Sequence, residues 1–384
     1  MILQKGKQSL KRIYFKAKNL WLGIALFLVF FLALSLVQFG SPGLVGNDGY
    51  YHIKLAARIR TEGFKPDFDY LPLTVLNSEE FVDHHYLFHI LMVPFTFDDL
   101  RVGAKLASTF FPSLAFVAVW WMLKRRSVAY PMLWSLGLIA ISEAFLYRMS
   151  MPRAQSLSLL LLIVSFHAML EKRRWLLALF GFLYVWSYNA FPLLLILAGP
   201  YATAHWLIEK TLNLEPLIYS AAGVVLGLVI NPYFPENIAF IYRHIAPKLL
   251  DATALSVGNE WFSYTTDTLM ENSGLALLIF LSGVLALGLN KKRISVETTA
   301  SLFLVSIFGY MLFESRRFVE YAPAFMLIFA AFAWSPILHQ WNAVNARTQS
   351  TGSIDIKLRS KLKRIMTPAL ITLLVGAMLW STLS

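Results

Sequence analysis

The chain has no cysteine, which excludes disulfides, a thiol nucleophile and any thiolate metal site. Charge is also scarce. Asp, Glu, Lys and Arg make up 15% of the residues, against about 25% in soluble domains. Acids are the rarer sign, 22 against 34 Lys and Arg, so the few places where they gather carry information. No internal repeat and no low-complexity tract is evident, and Asn342 to Asp355 is the one stretch with the composition of a flexible linker. What is abundant is hydrocarbon: 57% of the 384 residues are hydrophobic and the mean hydropathy is +0.59. Apolar runs of ~15–20 residues separated by short polar punctuation define an all-α, polytopic membrane protein.

Eleven spans are expected, at about 20–38, 106–123, 128–146, 155–170, 175–187, 190–208, 216–230, 274–289, 298–313, 319–335 and 367–383. The fifth and sixth are joined by a short turn at Tyr188, Asn189 and Pro192. The first follows a basic segment holding Lys5, Lys7, Lys11, Arg12, Lys16 and Lys18. Its run is longer than a signal-peptide core and lacks a small-residue cleavage pattern after it, so it reads as a retained span.

Alternating from a cytoplasmic N-terminus puts more than half of the Lys and Arg inside. They include Lys124-Arg125-Arg126, Lys172-Arg173-Arg174, Lys291-Lys292-Arg293 and the basic loop 336–366. This is the positive-inside pattern. The net charge of +12 is therefore a matter of membrane orientation, and nucleic acid is not an expected partner. The whole chain, 1–384, reads as one transmembrane domain, expected in the inner (plasma) membrane of a bacterium.

This topology collects the outer polar segments on one face. The first outer loop, 39–105, is the longest. Within it Tyr51, Leu55 and Ile59 fall at helical spacing, which predicts an interfacial amphipathic helix over 50–62. The apolar stretch 86–97 is too short to span. Later outer segments are 147–153, 231–273 and Glu314-Ser315-Arg316-Arg317.

Candidate chemistry concentrates in these segments. Asp48, in Gly46-Asn47-Asp48-Gly49-Tyr50-Tyr51-His52, is placed as a general base or metal ligand at the boundary, or as the cap of the following helix. Asp83-His84-His85, preceded by Glu79-Glu80, fits an oriented imidazole, a metal site or a helix cap. His89 lies four residues beyond His85, on the same helical face. Arg153, Arg316 and Arg317 stand at the mouths of spans, where a guanidinium fork suits a phosphate or snorkels to the headgroups. Asn259-Glu260-Trp261 sets a carboxylate beside an aromatic ring, an arrangement suited to a sugar or to interfacial anchoring. His167, His205 and His339 read as structural.

The pattern resembles the GT-C superfamily of membrane glycosyltransferases, which includes the oligosaccharyltransferase catalytic subunit, protein O-mannosyltransferases and aminoarabinose transferases. The resemblance rests on Asp48-Gly49-Tyr50-Tyr51-His52 in the first outer loop, the acidic cluster Glu79 to His85, an outer Arg between spans three and four, and an Arg-rich start to a late span. It implies a polyprenyl-phosphate-linked sugar donor and transfer on the extracytoplasmic face to a glycan, lipid or protein acceptor. By resemblance, Asp48 is the base or the ligand of a divalent metal (Mg or Mn), and the outer arginines hold the lipid phosphate. Asp83 and Glu260 are further catalytic candidates. Tyr51, His52, His84, His85, Arg153, Trp261, Arg316 and Arg317 are substrate-binding candidates.

Two departures stand out. Where the oligosaccharyltransferases carry an acidic motif after span three, this chain reads Met151-Pro152-Arg153-Ala154-Gln155. The chain also ends after span eleven, with no soluble domain bearing W-W-D, which argues against protein N-glycosylation unless a partner supplies the acceptor site. The alternatives are a ligase or polymerase of lipid-linked glycans, and a non-enzymatic transporter or flippase. A transporter would place its polar groups at the midplane, with inverted repeats.

Overall fold

The computed structural model describes residues 2–68, 81–250, 259–290 and 292–350. Among the described residues all regular structure is helical. The elements are α1 (Ile2–Phe39), α2 (Asp48–Glu62), α3 (Tyr86–Met92), α4 (Leu100–Arg125), α5 (Pro131–Leu136), α6 (Glu143–Met149), α7 (Gln155–Leu170), α8 (Arg174–Ser187), α9 (Pro192–Glu209), α10 (Glu215–Val229), α11 (Glu236–Leu250), α12 (Thr266–Leu289), α13 (Val296–Glu314) and α14 (Ala322–Ser350). Short 3₁₀ turns at Asn259–Trp261 and Arg316–Glu320 complete the polar end.

The first half of α14 is the axis of the bundle. Every residue from Ala322 to Ala333 is buried, between α4, α5, α12 and α13. Helices that are apolar all round belong in such a position. The outer helices keep an apolar face open: Leu32 and Leu36 on α1, and Leu278 and Leu285 on α12, are exposed. Such faces suit a hydrocarbon solvent, in which the helix also satisfies its own backbone. Small residues allow close packing within the bundle. At Gly223 of α10, a Cβ would lie 2.0 Å from the Ala178 carbonyl oxygen of α8.

The expected count of eleven spans is not reproduced as such. Five described helices are long and apolar enough to cross a membrane: Ala17–Phe39, Leu100–Arg125, Thr266–Leu289, Val296–Glu314 and Ala322–Val344. A bent pair raises the number to six. The helices at the expected fourth, fifth and seventh spans are shorter, Gln155–Leu170, Arg174–Ser187 and Glu215–Val229, and 367–383 lies outside the described residues. The expected span 128–146 is broken, with Pro131–Ile139 and Glu143–Met149 meeting at 84°. Ser142 makes the break. Its Oγ caps α6 by accepting from the Phe145 amide (3.1 Å) and donates to the Asn272 carbonyl of α12 (2.7 Å). Several helices also start earlier than expected. Asp99 caps α4, accepting from the amides of Arg101 (2.9 Å) and Val102 (3.3 Å), and Thr265 and Ser295 cap α12 and α13. The expected linker 342–355 is helical through Ser350, so the loop expected from 336 begins no earlier than that.

The bundle has two chemically distinct ends. Arg126 pairs with Glu171 and Glu297, and Arg174 with Glu215, at the end that carries the short basic connections. At the other end, buried Lys105 donates to the carbonyls of Gln38 (2.8 Å) and Ser41, satisfying the C-terminus of α1. Gln38 donates to the Ser150 carbonyl. These contacts fix the start of the first outer loop against the α6–α7 turn.

Candidate active site

At this second end α2 lies on the bundle, burying Gly49, His52, Ile53, Leu55, Ala56 and Ile59. The amphipathic helix expected over 50–62 therefore packs on protein along the stripe that carries Leu55 and Ile59. Asn47 occupies the cap position without a side-chain capping bond. Gly49 sets the approach: a Cβ there would lie 2.1 Å from Pro152 Cγ. The first turn of α2 can therefore press against the 151–153 turn. Asp48 Oδ2 reaches Arg153 Nε at 3.2 Å, with the Asp48 side chain 54% exposed.

Arg153 is one of three guanidiniums around Glu260. Arg148 Nη1 donates to Glu260 Oε2 at 2.8 Å, Arg153 Nη1 lies 3.7 Å from the same oxygen, and Arg317 Nη1 donates to Oε1. Burial alone would raise the Glu260 carboxyl. Arg317, then Arg148 and Arg153, outweigh it and hold the group below its ordinary value. Arg148 also donates through Nε (2.9 Å) and Nη2 to Oε1 of Glu320, which is fully buried. Arg317 donates to the Tyr188 hydroxyl and lies 4.9 Å from the Trp261 ring centroid. The Asn259–Trp261 turn is tied to the Arg316–Glu320 turn by Ser315 Oγ, which donates to the Glu260 carbonyl (2.9 Å), and by the Arg316 amide, which donates to the Phe262 carbonyl (3.0 Å).

Arg316 points elsewhere. Its Nε donates to the Ser263 carbonyl (3.1 Å) and its guanidinium covers Tyr264. The geometry thus joins Asp48, Arg153, Glu260, Trp261 and Arg317 into one lattice, with Arg316 at its margin.

A second cluster adjoins the first. Both Asp83 oxygens lie within 2.8 Å of His89 Nδ1, and His89 Nε2 lies 2.7 Å from His52 Nδ1. Asp83 Oδ1 also accepts the His85 amide at 3.0 Å, so the cap expected at Asp83 is an Asx turn leading into α3. His85 stacks on Tyr188 with ring centroids 5.3 Å apart, which links the two clusters. Tyr51 packs its edge against His52 and His89. His84 stacks on Phe240 of α11 and packs against His85. Burial first, and neighbouring imidazoles and Arg153 second, lower His52 and His85 well below the usual imidazole range. Glu79 and Glu80 lie outside the described residues.

Sequence reasoning singled out none of Arg148, Tyr188 and Glu320 as a site residue. The signal for Arg148 was present: an ionisable residue at the edge of an apolar run is a functional candidate by default. Its pairing with residue 320 was not readable locally.

The donor set does not suit a divalent ion. Asp48 and Glu260 each face guanidiniums, and among the described residues no three His, Asp or Glu side chains are grouped to hold a metal.

The described residues form a helical bundle with α2 and α3 packed over one end. Two solved structures of the Archaeoglobus fulgidus oligosaccharyltransferase match it with a TM-score of 0.64. One is the apo form, 14% identical, and the other is AglB with an inhibitory peptide and a dolichol-phosphate, 13% identical. In both, the match covers 94% of this chain and 56% of the other. A third, tethered to an acceptor peptide, matches at 0.57 with 15% identity, covering 94% and 55%. The chain spans a little over half the length of these proteins, and at such identities the likeness is one of fold. No protein-family model matches the sequence, and no curated protein matches it.

Proposed function

We propose that this protein is a GT-C-type glycosyltransferase that moves a sugar from a polyprenyl-phosphate-linked donor to an acceptor on the extracytoplasmic face of the membrane. The observation that carries this reading is the convergence of Arg148, Arg153 and Arg317 on Glu260 beside Asp48. A phosphate leaving group gains charge as its bond to the anomeric carbon breaks. Fixed guanidiniums stabilise that charge without reorganising. Arg153 and Arg317 are the lipid-phosphate contacts, Glu260 holds the forks in register, and Trp261 offers a ring face to the sugar. Asp48, at the open edge, meets the acceptor as hydrogen-bond partner or base. Tyr51, His52, His84 and His85 line the acceptor side.

The charged pairs sit at the two ends of the bundle, with the arginine lattice at one of them, and this favours the reading over a carrier with midplane polar groups. The test is incubation of purified protein with a panel of polyprenyl-phosphate-linked monosaccharides, with and without EDTA. Release of polyprenyl phosphate that depends on Asp48 is expected. Absence of release with every donor, or release undiminished in Asp48→Asn, would overturn the assignment or the role of Asp48 respectively.

A further inference from the structure

The chain Asp83–His89–His52 has a direction. The Asp83 carboxylate only accepts, so the His89 nitrogen facing both of its oxygens, Nδ1, carries a proton. In the neutral form of His89, Nε2 is a lone pair, and the partner it faces at 2.7 Å, His52 Nδ1, donates to it. That leaves His52 Nε2 as an acceptor, and it makes no hydrogen bond to the described residues. His52 and His89 are 3% and 0% exposed, so water does not set these tautomers. His52 follows Asp48 by four residues on α2, one turn along the same face. His85 lies between the His52 ring (centroids 5.0 Å apart) and Tyr188 (5.3 Å), whose hydroxyl accepts from Arg317, and this joins His52 to the arginine lattice. Asp48 itself is engaged by Arg153 at 3.2 Å.

We infer that His52 Nε2 is the proton acceptor of the transfer reaction, and that His89 and Asp83 are positioning residues that fix its tautomer. The inference rests on the glycosyl-transfer reading above. In the step, the acceptor oxygen forms its bond to the anomeric carbon and its proton passes to His52 Nε2. The bond from the anomeric carbon to the phosphate oxygen breaks, and its electron pair leaves on the lipid phosphate. The resulting imidazolium is stabilised through His89 by the Asp83 carboxylate. The groups facing His52 are Tyr51 from its own helix, His84, His85 and His89 from the segment before and within α3, and Arg153 from the α6–α7 turn, with Asp83 reached through His89. His52 is held neutral by burial and by its cationic neighbours, so the base form persists through neutral pH.

The experiment uses the full-length protein in nanodiscs, polyprenyl-phosphate-linked monosaccharides as donors and water as acceptor. It reads polyprenyl phosphate release, donor affinity and melting temperature. His52→Ala is expected to lower kcat by about 10²–10⁴-fold, the usual share of a general base, with donor affinity within about twofold of wild type. Added imidazole should restore part of the rate. Asp83→Asn, an isosteric change, should lower kcat and move the acid limb of the pH–rate profile to lower pH, because the carboxylate no longer supports the imidazolium.

A parallel fall of activity and melting temperature, without imidazole rescue or movement of the acid limb, would make the chain a structural lock of α2 on α3 and overturn the inference. So would an active wild type with unaltered His52 and Asp83 variants, an outcome that leaves glycosyl transfer standing. A wild type that releases nothing from any donor removes glycosyl transfer and the base role with it.

Discussion

Arg148 and Glu320 form a buried pair, with Nε 2.9 Å from Oε1 and no solvent on the carboxylate. The two residues come from α6 and from the turn before α14. The second oxygen of Glu320 has no hydrogen-bond partner, so Arg148 supplies the hydrogen bonds to that carboxylate while Arg317 adds only its charge. Removing Arg148 leaves a carboxylate in a low-dielectric interior, a loss of about 3–5 kcal/mol for buried pairs. Arg148→Ala is therefore expected to lower the melting temperature in detergent sharply, and Arg148→Ala with Glu320→Gln to recover much of the loss. A double-mutant cycle read by thermal unfolding checks the coupling, and additive effects would mean the two are independent.

The three arginines nearest Glu260 should not weigh equally with Arg316. Loss of a charge-assisted hydrogen bond to a phosphate costs about 1.5–3 kcal/mol, or roughly 10- to 150-fold in affinity. Arg153→Ala and Arg317→Ala are each expected to weaken binding of polyprenyl phosphate by that much. Arg316 is occupied by the Ser263 carbonyl and the Tyr264 ring, and Arg316→Ala should change binding by less than about threefold, within the range of a surface contact. Scintillation binding with labelled polyprenyl phosphate measures all three, and equal losses would place Arg316 in the site after all.

Gly49 controls the distance between the first loop and Arg153. A methyl group there meets Pro152 Cγ at 2.1 Å, closer than any packed contact, and overpacking of this kind costs about 1–3 kcal/mol. Gly49→Ala should displace the first turn of α2 and separate Asp48 from Arg153. Donor hydrolysis is expected to fall further than stability does, which comparison of the rate with the melting temperature would test.

Glu260 links stability to pH. Its carboxyl is held below its ordinary value by Arg317, Arg148 and Arg153 against the opposing effect of burial. A depressed acid contributes its full stability above the unfolded value, 4.5, and loses it as pH falls from there through the folded value. The melting temperature of the wild type should drop on acidification below about 4.5, and that of Glu260→Gln should start lower and fall less over the same window. Parallel curves would mean that Glu260 is not linked to folding.

Much of the architecture was legible in the order of residues. An apolar run long enough for a bilayer specifies a helix wherever it sits, and three basic triplets mark connections at one end of the bundle, because hydrocarbon thickness and membrane charge act on local segments. Asp48, Arg153, Glu260 and Arg317 were legible as separate candidates, being ionisable groups in the polar segments between such runs. Less legible was the break at Ser142, which puts Arg148 on a short helix at 84° to its predecessor. A capping serine inside an apolar run is a weak local signal, and its bond to Asn272 is not local at all.

The sequence by itself determined helices, their apolar faces and the polar segments that gather at one end. Only the tertiary structure decided that Arg148 pairs with Glu320 and Glu260, that Arg316 turns aside, and that His89 joins Asp83 to His52. The reason is the range of the forces. Helix formation and membrane partitioning are set over one run of residues. A hydrogen bond between side chains needs placement to within a few tenths of an ångström, and here groups from distant segments are placed by the packing of the whole bundle.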